Sequence, residues 1–385
     1  MYEHLQKKQK TNNMKKLIPL AVLLLSCFCA QAQDSITFAP KASPGSNKFI
    51  VYGNGEMSYI SNADSKSFGE VNFKPIFLWR ISPKLFVEAE MEIETGGGSV
   101  ALGLEYANMC YAVNPYLTLH AGRFLPKFGA YRGRLAEGFM NRFASKPAGF
   151  GDGGIGASVE TGVGALGGLP FGDIKILYDL YLVNGPHLLT STSDAGQFDY
   201  EAYISNNNSM ALGGRLAILP FSKSNLELGF SFQHKAKTGD LGSADENVSL
   251  DMQAIDLNYF QNISGIKSTL RISGELRHQK VGSDAVYLKS DGETKYGFSN
   301  SPTAWYLSTS IRPSLVDSKF FRNLEFAYRY SSYTRPSSAP WGGSNLTSNE
   351  FAIDYWLHWN SLVKFAYQSK KEEAKTFYAS VVFGF

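Results

Sequence analysis

The amino-acid sequence predicts an all-β fold, a transmembrane antiparallel β-barrel of about 16 strands with a long inward-folded loop. Three observations predict it. Segments of about ten residues alternate apolar and polar side chains, and tight turns alternate with long polar loops. After residue 32, no stretch approaches the roughly 18 consecutive apolar residues of a helical span.

The C-terminal segment carries the clearest alternation. Aromatic and aliphatic side chains occupy one parity in residues 351–359, 362–369 and 376–385, with a tight turn at Asn360-Ser361. The last strand of a soluble sandwich is the alternative, but a soluble sheet would rarely point Tyr, Trp and Phe outward on three successive strands. The segment ends on Phe385 and resembles the terminal-aromatic strand that the bacterial barrel-assembly machinery recognises, so that machinery is an expected partner.

The same alternation recurs along the chain at a steady spacing. A barrel of about 16 strands has a backbone radius near ~16 Å, which leaves a water channel unless a segment folds into it. Short turns alternate with long loops, which is the asymmetry of periplasmic and extracellular connections. We predict strands at 47–60, 68–81, 84–95, 99–113, 116–124, 155–166, 173–183, 210–219, 225–234, 248–259, 266–279, 303–312, 323–334, 349–359, 362–369 and 376–385.

The N-terminus predicts export. Met14-Lys15-Lys16, the apolar run 17–29 and Ala30-Gln31-Ala32 form a basic, an apolar and a cleavage region, so residues 1–32 are an N-terminal extension and a cleaved signal peptide. The sequence Leu24-Leu25-Ser26-Cys27 is also compatible with lipidation at Cys27, and this alternative stays open. Residues 33–46 are then a short periplasmic leader, and residues 47–385 the barrel.

Cleavage changes the chemistry that the composition suggests. Residues 1–32 hold five lysines and one glutamate, so the remaining chain has 32 basic and 33 acidic side chains, and its net charge gives no support for a nucleic-acid partner. Only Cys110 remains, which excludes an intrachain disulfide. The remaining histidines are scattered without metal-ligand spacing. We therefore predict no catalytic residues, no metal and no cofactor.

One segment interrupts the alternation. Residues 125–154 mix glycine, proline and aromatic side chains, and loops of this length are usually functional or disordered. Phe124, Phe128, Phe143 and Phe150 could anchor the loop to the barrel wall, which argues against disorder. We expect it to fold inward and to form a constriction with the following cations: Arg123, Lys127, Arg132, Arg134, Arg142 and Lys146.

The start of this loop carries a resemblance. The string Gly-Arg-Phe-Leu-Pro-Lys-Phe-Gly at 122–129 resembles the Gly-Arg-Phe-x-x-Pro-Phe-Gly-like string of phosphate-selective porins (the porin O/P group) and their Bacteroidetes relatives. Lys127 stands where the family often has proline, and the lysine ladder of the family cannot be matched residue by residue. The resemblance therefore implies a porin more than it implies phosphate specificity.

Opposite charge is expected on the facing wall. The segment 84–95 has its apolar side chains on one parity, and carboxylates on a lipid face would cost several kcal/mol, so the acidic parity should face the lumen. Arg271, Glu275 and Arg277 share a polar parity in the same way. The acidic wall consists of Glu88, Glu90, Glu92 and Glu94. Aromatic side chains predicted for the interfacial girdle are Trp79, Tyr116, Tyr259, Trp305, Trp356 and Trp359.

These features predict a porin of the bacterial outer membrane, which passes small hydrophilic solutes by passive diffusion, with anionic solutes as one option. The basic loop and the acidic wall would set up a transverse field that selects solutes by charge. Outer-membrane lipids and lipopolysaccharide are the expected surroundings, and a homotrimer is expected only by analogy with porins of this size. The alternatives are an outer-membrane hydrolase and a closed structural or adhesive barrel.

Overall fold

The computed structural model describes residues 48–96, 99–151, 153–283, 285–289, 293–371 and 373–385. The predicted signal peptide and leader lie outside the described residues. Within them, no helix is long and apolar enough to cross a membrane. The helical elements are short: α1 (Tyr131–Arg134), a 3-10 turn at Gly138–Met140, a second at Ser264–Ile266, and α2 (Lys319–Arg322).

Sixteen strands form one closed antiparallel barrel, each paired with its neighbours in chain order. The alternation of the sequence fits this arrangement, because successive side chains of a strand point to opposite faces. The strands are β1 (Lys48–Ser61), β2 (Lys66–Arg80), β3 (Leu85–Gly96), β4 (Ser99–Asn114), β5 (Leu117–Phe124), β6 (Glu160–Phe171), β7 (Ile174–Val183), β10 (Ala211–Leu219), β11 (Leu226–Lys235), β12 (Leu250–Ile263), β13 (Ser268–Val281), β16 (Thr303–Arg312), β17 (Leu324–Thr334), β18 (Leu346–His358), β19 (Ser361–Lys370) and β20 (Thr376–Gly384). Two short ribbons, β8 (His187–Leu188) with β9 (Phe198–Asp199) and β14 (Tyr287–Leu288) with β15 (Lys295–Tyr296), lie in the connections.

The barrel closes between its first and last strands. The pairing of β1 with β20 runs from Asn54 opposite Gly384 to Ser61 opposite Phe377. Beyond it, Gly53 and Phe385 exchange backbone hydrogen bonds of 3.1 and 3.2 Å. Closure removes the open strand edges, whose unpaired N–H and C=O groups would each cost several kcal/mol in lipid.

The two faces of the wall differ in polarity. In β18, Phe351 and Ile353 are 57% and 45% exposed on the outside, whereas Ala352 is 3% exposed and Asp354 fully buried on the inside. On the neighbouring strand, Lys364 lies opposite Asp354 and is buried as well. Because a charged side chain at the middle of a lipid face costs about 2–4 kcal/mol, this pattern suits a barrel with lipid outside and a polar lumen inside.

The connections between consecutive strands lie at the two ends of the barrel. At the first, the short-turn end, lie 81–84, 115–116, 172–173, 220–225, 264–267, 313–323 and 359–360. At the other, the long-loop end, lie the described parts of 125–159, 184–210, 236–249, 282–302 and 335–345, together with the shorter 62–65 and the described part of 371–375. This confirms the predicted alternation of turn lengths.

Every predicted strand of the barrel is present, and two details were wrong. We predicted a strand at 155–166, but β6 begins at Glu160 and continues through Pro170 to Phe171. Ile155 and Val159 alternate with small residues as in a strand, but both belong to the loop, where they are buried at 2% and 0% exposure. Trp356 was assigned to the girdle, but it lies inside the barrel at 4% exposure.

Candidate functional site in the barrel lumen

Residues 125–159, which connect β5 to β6, form the lumen loop, and two glycines set its entry. Gly122 has φ +130° and Gly129 has φ +68°, conformations that favour glycine. A Cβ on Gly122 would overlap the carbonyl oxygen of Ala107, and one on Gly129 would overlap the carboxylate of Glu275. Both glycines of the 122–129 string are therefore required by the backbone conformation at the start of the loop.

Carboxylates of the wall hold the lumen loop through its backbone. The carboxylate of Glu275 on β13 accepts hydrogen bonds from the amides of Ala130 and Tyr131, both at 2.8 Å. Glu350 on β18 accepts hydrogen bonds from the amides of Ala144 and Ser145 at 3.0 and 3.3 Å. Both side chains are at most 1% exposed, and hydrogen bonds to charged groups are each worth about 1.5–3 kcal/mol.

Further contacts extend across the barrel. Ser231 on β11 accepts a hydrogen bond from the amide of Gly129 at 3.0 Å, and Lys364 on β19 donates one to the carbonyl of Gly138 at 3.1 Å. Phe139 packs against a cluster of Trp356, Leu362 and Val382. The loop leaves the wall at β5 and makes contacts on β11, β13, β18 and β19, so it lies inside the barrel.

An apolar cluster occupies one side of the lumen. Phe128, Tyr131 and Phe150 of the lumen loop pack with Met252 on β12 and Tyr306 on β16 in a buried cluster. Residues of the long loops also contact this cluster. The Trp341 indole, for example, donates a hydrogen bond of 2.9 Å to the backbone carbonyl of Ala195, which is a member of the cluster. The buried members of this cluster are Phe128, Tyr131, Phe150, Ile155, Ala157, Leu188, Ala195, Phe198, Val248, Leu250, Met252, Ala254, Val281, Ala285, Tyr287, Ala304, Tyr306 and Tyr333.

The four carboxylates of the predicted acidic wall share the inner parity of β3. Glu88 accepts hydrogen bonds from the hydroxyls of Tyr52 and Tyr106 at 3.3 and 3.2 Å. Glu92 forms a salt bridge of 2.7 Å with Lys74. Glu90 is 8% exposed, and Glu94 is half-buried further along the same strand.

The predicted constriction cations do not form a free ring. Arg132 pairs with both Glu105 and Glu137, the latter at 2.6 Å. Arg134 pairs with Glu227 at 2.6 Å, and Arg142 lies 3.4 Å from Glu325. The wall therefore neutralises part of the charge of the loop at short range.

The other three cations have different surroundings. Arg123 is 8% exposed, donates to the carbonyls of Glu105 and Glu201 at 3.1 and 2.9 Å, and stacks on Tyr203. Lys127 is exposed to a cavity beside β3, β4 and β5. Lys146 lines a separate cavity toward the long-loop end. The structure thus brings the loop together with the acidic wall, but Arg123 and Lys146 are not among the described residues that line the acidic cavity.

Sequence reasoning missed Glu105, the main wall partner of Arg132. The register between β3 and β4 shifts between Glu90 and Met91, which places an extra residue in β4. Bulges of this kind redirect a side chain. Strict alternation could not have placed both Glu105 and Tyr106 next to the lumen, yet both line the same cavity. The carboxylates Glu227, Glu325 and Glu350 could have been found, since each sits on the polar parity of a predicted strand.

The lumen loop separates two cavities of opposite charge. The acidic cavity, about 320 Å³, is lined among the described residues by five carboxylates and two cations: Glu88, Glu90, Glu105, Glu137, Asp179, Lys127 and Arg132. The basic cavity, about 300 Å³, is lined by four guanidinium groups and one carboxylate: Arg134, Arg142, Arg271, Arg329 and Glu227. A third cavity of about 230 Å³ lies toward the long loops, shares Arg132 with the acidic cavity and shares Tyr131 with the basic one.

Two titratable groups of the lumen loop, Glu137 and Tyr131, keep their ordinary charge states at neutral pH. Burial alone would raise the pKa of Glu137, but the charges of Lys74 and Arg132 outweigh it, and the pKa lies below its usual value. Burial raises the pKa of the Tyr131 phenol to about 12, so this hydroxyl stays neutral. Within the described part of the chain, no group of three or more His, Cys, Asp or Glu side chains could hold a metal ion.

Comparisons with known proteins support the fold. No protein-family model and no curated protein matches the sequence. Among solved structures, OmpF of Salmonella typhi in complex with daunomycin matches with a TM-score of 0.56 at 12% identity, covering 88% of this chain and 98% of that one. The outer membrane channel DcaP of Acinetobacter baumannii gives 0.54 at 11%, covering 90% and 100%. An anion-selective porin from Comamonas acidovorans gives 0.51 at 13%, covering 88% and 100%.

The chain therefore has a porin-like barrel fold. Its closed, even-numbered antiparallel wall with apolar side chains outside is the architecture of single-chain bacterial outer-membrane barrels. This places it in the bacterial outer membrane, with its outer face against lipid. The short-turn end then corresponds to the periplasmic side and the long-loop end to the extracellular side.

Proposed function

We propose that the protein is a porin that passes small hydrophilic solutes by passive diffusion. The observation that carries this proposal is the lumen loop, anchored by Glu275 and Glu350 across a barrel of 16 strands, with a cavity lined by charged side chains on each of its faces. A barrel of this size has room for water unless it is plugged, and the loop leaves these cavities beside it. No reaction needs to be catalysed for this function.

In this proposal the loop narrows the lumen, and the separation of the acidic cavity from the basic cavity sets the selectivity for solute charge. The acidic cavity lies against β1–β7 and the basic cavity against β11–β17, on opposite sides of α1. A solute that passes α1 meets a transverse field, which orients dipoles and sorts ions by sign. Lys127, Arg132, Arg134 and Arg142 are the cations that we assign to this constriction. Arg123 supports the adjacent loop 184–210 instead.

The resemblance to the porin O/P group stays a prediction. Gly122 and Gly129 of the 122–129 string have backbone roles in the entry of the loop, which any porin with such a loop could need. Anion preference is supported by the four guanidinium groups of the basic cavity. A homotrimer, contact with lipopolysaccharide and recognition of the C-terminal strand by the assembly machinery likewise remain predictions.

The test is the reversal potential of the refolded protein in a planar bilayer under a salt gradient. We expect stable conductance steps with anion preference, and a shift toward cations in Arg134→Gln/Arg142→Gln, which removes two charges from the basic cavity. The control is Lys66→Gln, which removes a charge at the long-loop end of β2 from a residue that lines none of the described cavities. Cation preference in the wild type would move selectivity to the acidic cavity. Silence from folded protein would favour the hydrolase or the closed barrel.

A further inference from the structure

The basic cavity contains a guanidinium group that forms no ion pair among the described residues. Arg271 on β13 lies over the ring of Phe260, 4.6 Å from its centroid. Among the described residues its side chain has no hydrogen bond and no ion pair, although Arg134 and Arg329, which line the same cavity, each pair with a carboxylate. Its side chain is exposed to the cavity. A guanidinium group in this position offers its full set of donors to an incoming anion.

Neighbouring guanidinium groups increase the local positive charge. Arg142 and Arg312 lie over the indole of Trp356, at 5.3 and 5.1 Å from its centroid. Glu325 is the carboxylate nearest to them, and its two oxygens already accept hydrogen bonds from Ser310 at 2.6 Å and from Trp356 at 2.8 Å. Its contact with Arg142 is long, at 3.4 Å. Among the described residues that line the basic cavity, guanidinium groups outnumber carboxylates four to one, which favours binding of an anion.

The walls of the basic cavity also indicate what the rest of the ligand, its organic body, would be like. Phe260 and Tyr306 provide aromatic surface, Leu135 and Met140 provide aliphatic surface, and Ser308 provides a hydroxyl. Small-molecule sites generally combine apolar walls with a few polar groups, and the volume of about 300 Å³ is at the small end of their range. A guanidinium fork matches the two oxygens of a carboxylate. Inorganic phosphate would use the charge but none of the apolar surface.

We propose that the basic cavity binds small organic carboxylates that carry an aromatic or aliphatic body. Arg271 binds the carboxylate, and Phe260 and Tyr306 contact the body. Ser224 and Asn225 of the 220–225 turn line the cavity, so a ligand reaches it from the short-turn end. This inference deepens the proposed function and rests on it only for the role of the site in permeation.

The test is isothermal titration calorimetry of the refolded full-length protein in detergent, with benzoate as the probe and inorganic phosphate as the comparison. We expect benzoate to bind more tightly than phosphate. Arg271→Gln should weaken benzoate binding by at least about tenfold, the loss expected for one hydrogen bond to a charged group. Lys66→Gln, at the long-loop end of β2 and outside the described lining of the basic cavity, should bind benzoate as the wild type does. Met140→Ala shortens an apolar side chain of the lining and leaves Phe260 beneath Arg271, so it should weaken benzoate while leaving phosphate unchanged, which reports on contact with the body of the ligand.

Three results would overturn the proposal: no benzoate binding to folded protein, phosphate binding as tightly as benzoate, or an equal loss in Lys66→Gln and Arg271→Gln. Conductance of the same preparations separates this inference from the proposed function. Conducting channels that do not bind benzoate reject the site alone. Benzoate binding by a protein that never conducts rejects the pore and leaves the site.

Discussion

The anchoring of the lumen loop by Glu275 gives a prediction with a defined magnitude. One carboxylate oxygen of Glu275 accepts the amides of Ala130 and Tyr131 at 2.8 Å, and the other accepts the Nε of Arg277 at 2.6 Å. Both oxygens thus face donors. In Glu275→Gln the side chain keeps its shape, but its amide nitrogen must face either the loop amides or Arg277.

The substitution therefore loses at least one hydrogen bond to a charged group and places two donors together, which costs about 1.5–3 kcal/mol. Since every 1.4 kcal/mol is about a factor of ten in an equilibrium, the loop should open about 10 to 100 times more often. We expect hydrogen exchange of a peptide that contains Ala130 and Tyr131 to accelerate by that factor. The amides of the strand pair β19 and β20 should exchange as in the wild type.

Glu88→Gln is the matched control, because it removes one carboxylate of the lumen that accepts from Tyr52 and Tyr106 and makes no hydrogen bond to the loop backbone in the described contacts. It should leave exchange at 130–131 unchanged. Unaltered exchange in folded Glu275→Gln would refute the anchoring role. Equal acceleration of exchange at 130–131 in both variants would mean that the loss of any lumen carboxylate causes the effect, and not the loss of the hydrogen bonds to the loop.

Three further predictions concern the same loop. Gly129→Ala should displace the loop entry and accelerate exchange at 128–131, because Gly129 has φ +68° and an added Cβ would overlap Glu275; Gly133→Ala, where nothing lies within 4 Å of the added Cβ, should not. Arg132→Gln should shift the reversal potential toward cations, because it removes the cation between Glu105 and Glu137, and an unchanged potential would contradict its place in the constriction. The pKa of Glu137 is depressed in the folded protein, so its contribution to loop docking should be complete above the ordinary glutamate pKa of about 4.3. This contribution should be lost as the pH falls through the lower pKa of the folded state. Hydrogen exchange across 131–141 should accelerate in that pH range, and Glu137→Gln should not show this step.

The strands of the barrel could be predicted because alternation and turn chemistry are local properties. The closed wall needs every strand to place apolar side chains outside, and 351–385 repeats that pattern three times. Alternation alone cannot distinguish lipid from a buried apolar cluster. For this reason Ile155 and Val159 were read as strand residues, although they pack within the loop. Trp356 shows the same ambiguity, since an indole can lie in a girdle or, as here, donate to Glu325 inside the lumen.

The inward position of the loop could be anticipated from its length and its aromatic anchors, but the pairing of its charges could not. Arg132, Arg134 and Arg142 are paired by carboxylates on three distant strands, and such pairs depend on register and closure. Glu105 reaches the lumen through a bulge that has no signature in the sequence. The unpaired state of Arg271 is also a tertiary property, although its inward parity was expected from the alternation of β13.

The most direct test of the central claim is the single-channel conductance of the refolded protein in planar bilayers, with wild type compared with Glu275→Gln/Glu350→Gln. A water-filled barrel narrowed by the lumen loop predicts stable steps in the wild type. It also predicts larger steps, and passage of larger neutral polymers, when both anchors are weakened. Absence of conductance from a folded barrel, or identical conductance after hydrogen exchange has shown the loop to be released, would contradict it.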